Sequence, residues 1–265
     1  MPTAEISGVR LHYEVSGDAD APNLVLLNSL GSDLQIWDRA LPAFESRCRV
    51  LRSDMRGHGR SEVLAEAFTI GQLGRDVLKL MDEAQVEKAS ICGVSLGGLV
   101  GLWLGIHAQD RVDRLILANT AARIGTKEIW EQRIETVNAT GKAALAPTTL
   151  ARWFTPDYRH QHPEEMERIR RMIAATDPQG YRACCAVLRD ADLRRDAAQV
   201  KAASLVITGT HDPATPPADG RALHAAIEYS SYLELNASHM AGWECADEFA
   251  AAVVEHLTAT EVIDG

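Results

Sequence analysis

No stretch of the 265 residues approaches the roughly 18 consecutive apolar side chains of a membrane-spanning helix, so an integral membrane protein is not expected. Residues 1–17 are acidic and polar where a signal peptide needs basic residues followed by an apolar stretch. Positive charge is scarce too: 27 Lys and Arg stand against 37 Asp and Glu, a formal net charge of -10 at pH 7. A chain so acidic is not expected to present the broad cationic face that nucleic acid or an anionic membrane demands. Paired cysteines are missing as well. Cys48, Cys92, Cys184, Cys185 and Cys245 form an odd, irregularly spaced set without the CxxC spacing of a zinc site or a redox pair. That usage suits a reducing compartment, and the expected location is the cytoplasm. Repeats and low-complexity tracts are also absent.

What remains is an ordinary soluble composition, 46% apolar and 24% charged. At about 150 residues per domain the length allows one large domain or two small ones, burying roughly three quarters of the unfolded surface. Residues 4–15 alternate apolar and polar side chains around Ser7-Gly8, which predicts an antiparallel hairpin. The short apolar runs 24–27, 50–51, 89–92 and 115–117 read as strands buried on both faces, as in a parallel sheet. Between them, Ile70, Leu73, Val77, Leu80 and Met81 recur at helical spacing, and 96–108 is apolar almost all round, which predicts a covered helix. The rhythm stops near Ala122. From there to Arg195 helical periodicities appear without a convincing strand, so an insertion is expected. Strands at 204–207 and 232–235 and helices at 218–227 and 246–257 complete the pattern. Ligands of such alternating folds sit beyond the carboxyl ends of the strands, and function is sought in the strand-to-helix turns.

After the strand at 89–92 the chain reads Gly93-Val94-Ser95-Leu96-Gly97-Gly98. Glycines two residues either side of Ser95 permit a cramped turn that projects the hydroxyl from its tip. The same glycines would also serve a plain turn packing helix onto strand. Serine needs a base and an orienting acid to act as a nucleophile. Of nine histidines, His239 follows the last strand in Asn236-Ala237-Ser238-His239, and Asp212 follows the strand before it in Gly209-Thr210-His211-Asp212. Taken singly, Asp212 reads as a turn carboxylate and His239 as a loop histidine. Together with Ser95 they stand in the chain order nucleophile, acid, base. Ser95, Asp212 and His239 are therefore the candidate catalytic residues. His211 and His58 are read as turn residues. Backbone amides for an oxyanion are expected at Leu96 and at Leu30, the latter in Asn28-Ser29-Leu30-Gly31 after the strand at 24–27.

These segments, with the turn Asp54-Met55-Arg56-Gly57-His58-Gly59-Arg60-Ser61, resemble the α/β-hydrolase fold over nearly the whole chain. The resemblance implies an α/β architecture: a mostly parallel eight-stranded sheet with helices on both faces, a core of 1–121 and 196–265, and a helical cap at 122–195. Asn28-Ser29 departs from the His-Gly of many members, without altering the amide assigned to Leu30. Within the superfamily, the runs 119–125 and 150–155, with Trp130 and Arg133, are similar to 3-oxoadipate enol-lactonases of aromatic catabolism.

That resemblance implies a small anionic lactone as substrate, opened through an acyl-enzyme on Ser95, without cofactor or metal. The substrate's carboxylate calls for a cation or donors. Arg133, three residues from Trp130 on one predicted helix, is the candidate, with Trp153 and Trp130 as apolar walls; the competing reading makes Arg133 a surface residue and both tryptophans cap core. Arg168, Arg170 and Arg171 are assigned to a solvated face, Trp103 and Cys92 to the fold core, and Cys184-Cys185 to small apolar packing within a cap helix. His160-Gln161-His162 lacks a carboxylate partner and is set aside as a metal site. Competing readings are a general carboxylesterase or perhydrolase of the same fold, and an inactive ligand-binding signalling protein. A haloalkane dehalogenase is disfavoured, because its nucleophile is a carboxylate where this chain has Ser95. Oligomeric state is not legible in the sequence.

Overall fold

A computed structural model of the chain describes residues 2–63 and 66–259. Its strands are β1 (Thr3–Ile6), β2 (Val9–Ser16), β3 (Asn23–Leu27), β4 (Arg49–Ser53), β5 (Ala89–Val94), β6 (Val112–Ala118), β7 (Ala203–Gly209) and β8 (Ser230–Leu235). The helices are α1 (Leu41–Glu45), α2 (Ile70–Glu83), α3 (Leu96–His107), α4 (Lys127–Thr140), α5 (Ala146–Trp153), α6 (Pro156–Gln161), α7 (Pro163–Ala175), α8 (Pro178–Asp190), α9 (Pro217–Ala226), α10 (Ala241–Glu244) and α11 (Ala246–Thr258). β1 and β2 form the expected hairpin. Ser7 and Gly8 take φ of 55° and 77°, the two left-handed values of a turn whose twist matches its strands.

The eight strands lie in the order β1-β2-β4-β3-β5-β6-β7-β8; β2 pairs antiparallel with β4, and every later pairing is parallel. The unbroken apolar runs have a direct cause. Successive strand side chains point to opposite faces, and both faces are covered. Leu24, Leu26, Ile116 and Leu205 enter one apolar layer with α1 and α11, whereas Val25, Leu27, Leu115 and Val206 enter another with α2, α3 and α9. α3 lies deepest, buried almost all round as its composition requires. α1 and α10 are single turns that the periodicity did not reveal. α4 to α8 all lie between β6 and β7, and residues 122–195 contain no strand. Among the described residues no helix is long and apolar enough to cross a membrane.

The turn after β4 is a structural hub. Asp54 accepts hydrogen bonds from the Leu34 amide at 2.8 Å, the His12 Nδ1 at 2.9 Å and the Arg60 amide at 2.9 Å. Arg56 donates two bonds of 2.6 and 2.7 Å to Asp76 of α2, and both side chains are buried. Removing one partner strands a buried charge, so Asp76→Ala is expected to cost about 3–5 kcal/mol, read as a lower urea midpoint at equilibrium. An unchanged midpoint would mean that water reaches Arg56. His58 lies in this turn, as expected. It is buried, and burial pushes its imidazole down to about 4. Arg168, Arg170 and Arg171 stay exposed, in keeping with a solvated face; Arg168 also pairs with Asp38 and lies 5.5 Å from the Trp243 ring centroid, and Arg170 and Arg171 pair with Glu167. Trp103 is half-buried rather than core, and Cys92, Cys184 and Cys185 are buried.

Candidate active site

Three strand ends build the site. At the end of β5, Ser95 adopts φ 58° and ψ -117°, which costs a non-glycine residue about 1–3 kcal/mol and persists only where the surroundings impose it. Here they do. The Ser95 amide donates to the Ala118 carbonyl at 3.0 Å, and its own carbonyl accepts from the Leu99 amide at 2.9 Å and the Thr120 hydroxyl at 2.7 Å. The flanking glycines are required by space: a Cβ on Gly93 would lie 2.3 Å from the Gly97 carbonyl oxygen, and one on Gly97 would lie 2.2 Å from that of Leu27. α3 starts immediately after Ser95, so the Leu96 amide lies in the first turn, where helix donors have no acceptor within the helix and the helix dipole is positive.

At the end of β7, Asp212 is enclosed by donors. Oδ2 accepts from His239 Nδ1 at 2.7 Å, Thr215 Oγ1 at 2.7 Å and Asn119 Nδ2 at 3.0 Å; Oδ1 accepts from the Ala214 and Thr215 amides at 2.7 and 3.1 Å. Burial pushes the carboxyl up, but the charge of His239 and the bonds from His239, Thr215 and Asn119 outweigh it, so Asp212 sits below the usual carboxylate range. Asn119 had stood out only as part of the run leading into the cap. It is wholly buried at φ 45° and bridges Asp212 to the Ser238 carbonyl, next to His239, at 3.2 Å.

The loop after β8 carries His239 and is bonded to α5: Ser238 Oγ donates to the Arg152 carbonyl at 2.9 Å, and the Met240 amide to the Trp153 carbonyl at 3.0 Å. On the opposite side, Asn28 pins the turn after β3 by donating to the Ser53 carbonyl at 2.8 Å and accepting from Trp37 Nε1 at 2.9 Å. This is the work of the residue that departs from His-Gly. It leaves Ser29 and Leu30 facing the site.

Ser95 and His239 line one pocket of at most about 400 Å³, together with Leu30, Trp130, Arg133 and Trp153. The tryptophans are both buried core and pocket wall. Arg133 faces the pocket as a cation held from behind: its Nε donates to Tyr181 Oη at 2.7 Å and its Nη2 to Thr149 Oγ1 at 3.3 Å. Arg152, Tyr181, Thr149, Ile124, Ser29 and Ala214 complete the lining and were not singled out from the sequence. Arg152 was detectable in principle, since it precedes Trp153 in a quoted run. Tyr181 lies in a stretch without any motif. Burial, aided by the charge of Arg133, pushes the Arg152 guanidinium down. Among the described residues no three His, Cys, Asp or Glu side chains gather as metal ligands.

Comparison with known proteins shows the family. Residues 22–245 match the family model of the alpha/beta hydrolase fold. The chain is 39% identical to 3-oxoadipate enol-lactonase 2 of Acinetobacter baylyi over 95% of its own length and 94% of that protein's, and 37% identical to 3-oxoadipate enol-lactonase 1 of the same organism over 91% of each. The crystal structure of the enol-lactonase from Burkholderia xenovorans superposes with a TM-score of 0.96 at 45% identity, covering 97% of this chain and 100% of that one. An elbow serine, an acid-imidazole pair in the matching chain order and a relationship that runs end to end are thus found together, and the chain belongs to the α/β-hydrolase family, in the branch these enol-lactonases represent.

Proposed function

We propose that this chain hydrolyses 3-oxoadipate enol-lactone to 3-oxoadipate, acting in the cytoplasm, with 1–121 and 196–265 as catalytic core and 122–195 as cap. The observation that carries the proposal is the meeting of Ser95, His239 and two arginines in one small pocket. Ser95 Oγ attacks the lactone carbonyl as His239 takes its proton, and Asp212 holds the imidazole with Nδ1 protonated. The amides of Leu30 and Leu96 receive the oxyanion. Collapse of the tetrahedral intermediate breaks the ring C–O bond. The enolate oxygen leaves, is protonated from His239, and the enol tautomerises to a ketone that no longer recloses the ring. A water deprotonated by His239 then attacks the acyl-enzyme, releasing the second carboxylate and returning the proton to Ser95. All the steps are proton transfers and acyl transfer, for which these side chains suffice.

Arg152 and Arg133 bind the substrate's free carboxylate, and Trp130 and Trp153 cover the ring. Arg152 has no side-chain partner among the described residues that a ligand would have to displace, which makes it the stronger anion donor of the two. The direct test is loss of lactone absorbance on adding purified protein, beside a panel of neutral p-nitrophenyl esters. Turnover of the lactone with a higher kcat/KM than any neutral ester is expected. A clear preference for neutral esters would instead make this a general carboxylesterase. Arg152→Met is expected to lower kcat/KM for the lactone about 10- to 100-fold, mainly through KM, since a charge-assisted hydrogen bond is lost. A neutral ester should be hydrolysed by that variant as by the parent protein.

A further inference from the structure

Behind the pocket lies a third cation that the mechanism does not use. Lys142 follows α4 and is only 2% exposed. Its Nζ donates to the Ile173 carbonyl of α7 at 2.9 Å and lies 4.4 Å from the Tyr181 ring centroid of α8. It also borders the turn after β3: a Cβ built on Gly31, the residue after Leu30, would be 3.4 Å from this Nζ and 3.0 Å from Tyr181 Cε2. The tyrosine it backs lines the pocket, and its Oη accepts the bond from Arg133. Among the described residues, none of Arg133, Lys142 and Arg152 has a carboxylate within ion-pair reach; their partners are a phenol, a hydroxyl, a carbonyl and a ring. A chain of net charge -10 thus keeps three cations without a close ion-pair partner around one pocket, although Arg152 feels the more distant charge of Asp212. Burying an ammonium without a counter-ion is costly, and a ring face and one carbonyl repay only part of it.

We infer that Lys142 is a specificity-determining charge that acts from behind Tyr181: it favours anionic ligands in the pocket, and the protein takes up a proton there when such a ligand binds. The inference rests on reading the pocket as an anion site, not on which lactone is opened. The groups facing Lys142 from each packed element are Arg133 on α4, Tyr181 and Cys185 on α8, and His58 on the turn after β4. Burial pushes Tyr181 and Cys185 up to about 12 and His58 down to about 4, so none of these changes charge near neutrality. Lys142 does, because burial, with the charge of Arg133 added, pushes it down to about 7. The sign follows. An anion stabilises the ammonium, so binding raises the affinity of Lys142 for its proton, and anion affinity falls as pH rises through this range.

The test is calorimetric binding of adipate, a six-carbon dicarboxylate that the enzyme cannot hydrolyse. It is run at pH 7 in two cationic buffers of different ionisation enthalpy. His239→Gln supplies a background without the imidazole that lines the pocket. An uptake of about half a proton is expected in the parent protein and in His239→Gln, falling to near zero in Lys142→Met. Lys142→Met should also weaken adipate about tenfold while leaving KM for p-nitrophenyl acetate within about twofold. Absence of proton uptake in His239→Gln, or unaltered adipate affinity in a folded Lys142→Met, overturns the inference and makes Lys142 a cap staple. If Lys142→Met does not fold, the proton count in His239→Gln decides alone. Proton-linked adipate binding without lactone turnover would sink the proposed reaction and support Lys142; turnover without linkage would do the reverse.

Discussion

Ser95→Ala is expected to lower kcat for lactone hydrolysis about 10⁴- to 10⁶-fold with the fold intact. Alanine keeps the Cβ that already occupies φ 58°, so the variant adds no backbone strain. The hydrogen bonds that hold this residue run through its amide and carbonyl, to Ala118, Leu99 and Thr120, and none depends on the hydroxyl. Urea unfolding should therefore change by no more than about 0.5 kcal/mol, the range of substitutions that remove no cap, core contact or buried bond. What is lost is the covalent step. The residual rate, about 10³-fold above water, comes from His239 activating a water beside amides that still stabilise the oxyanion. Adipate affinity should be unchanged, because the anion donors stand on α4 and α5. Turnover near that of the parent protein would assign the attack to another group, and the elbow geometry would then have only a packing explanation.

The residues that this experiment addresses were legible because their chemistry is local. Gly93 is dictated by an approach of 2.3 Å to Gly97 within one strand-turn-helix and Gly97 by one of 2.2 Å to Leu27 on the neighbouring β3, and both constraints fall on one run of consecutive residues, where they leave a pattern. Asp212 and His239 could be placed because each follows a strand whose apolar run is unmistakable. The sheet was readable for the same reason: Val25 and Leu27 face one layer while Leu24 and Leu26 face the other, so both faces had to be covered. Arg152, Tyr181 and Lys142 are different. They meet only because α4, α5, α7 and α8 pack together, and no spacing along the chain records that Lys142 reaches the Ile173 carbonyl. The turn 54–61 stood out as a motif and yet holds the fold: its Asp54 is spent on Leu34, His12 and Arg60, and its Arg56 on Asp76. A motif marks a constraint, and only the partners tell whether the constraint is chemical or mechanical.

Asp212→Asn is expected to cost about 10⁴-fold in kcat, although it preserves size and shape. The loss follows from counting donors. Both carboxylate oxygens accept only: three bonds reach Oδ2, from His239, Thr215 and Asn119, and two backbone amides reach Oδ1. An amide has one accepting oxygen. If its NH₂ group replaces Oδ1, it meets the amides of Ala214 and Thr215; if it replaces Oδ2, it meets donors on three sides. In the second arrangement His239 must move its proton from Nδ1 to Nε2, and it then has no lone pair to offer Ser95. Either arrangement leaves buried donors unsatisfied, so stability should also fall, by about 1–3 kcal/mol at pH 7. That stability loss carries a pH signature. Asp212 is held below its ordinary value, so the parent protein has the extra stability above the unfolded carboxyl's pKa of about 3.9 and loses it as pH falls through the lower folded value. Asn does not titrate. The gap in unfolding free energy between the two proteins should therefore be widest near neutrality and shrink below about pH 4, whereas a gap independent of pH would show that packing, not the charge on Asp212, is what the substitution removes.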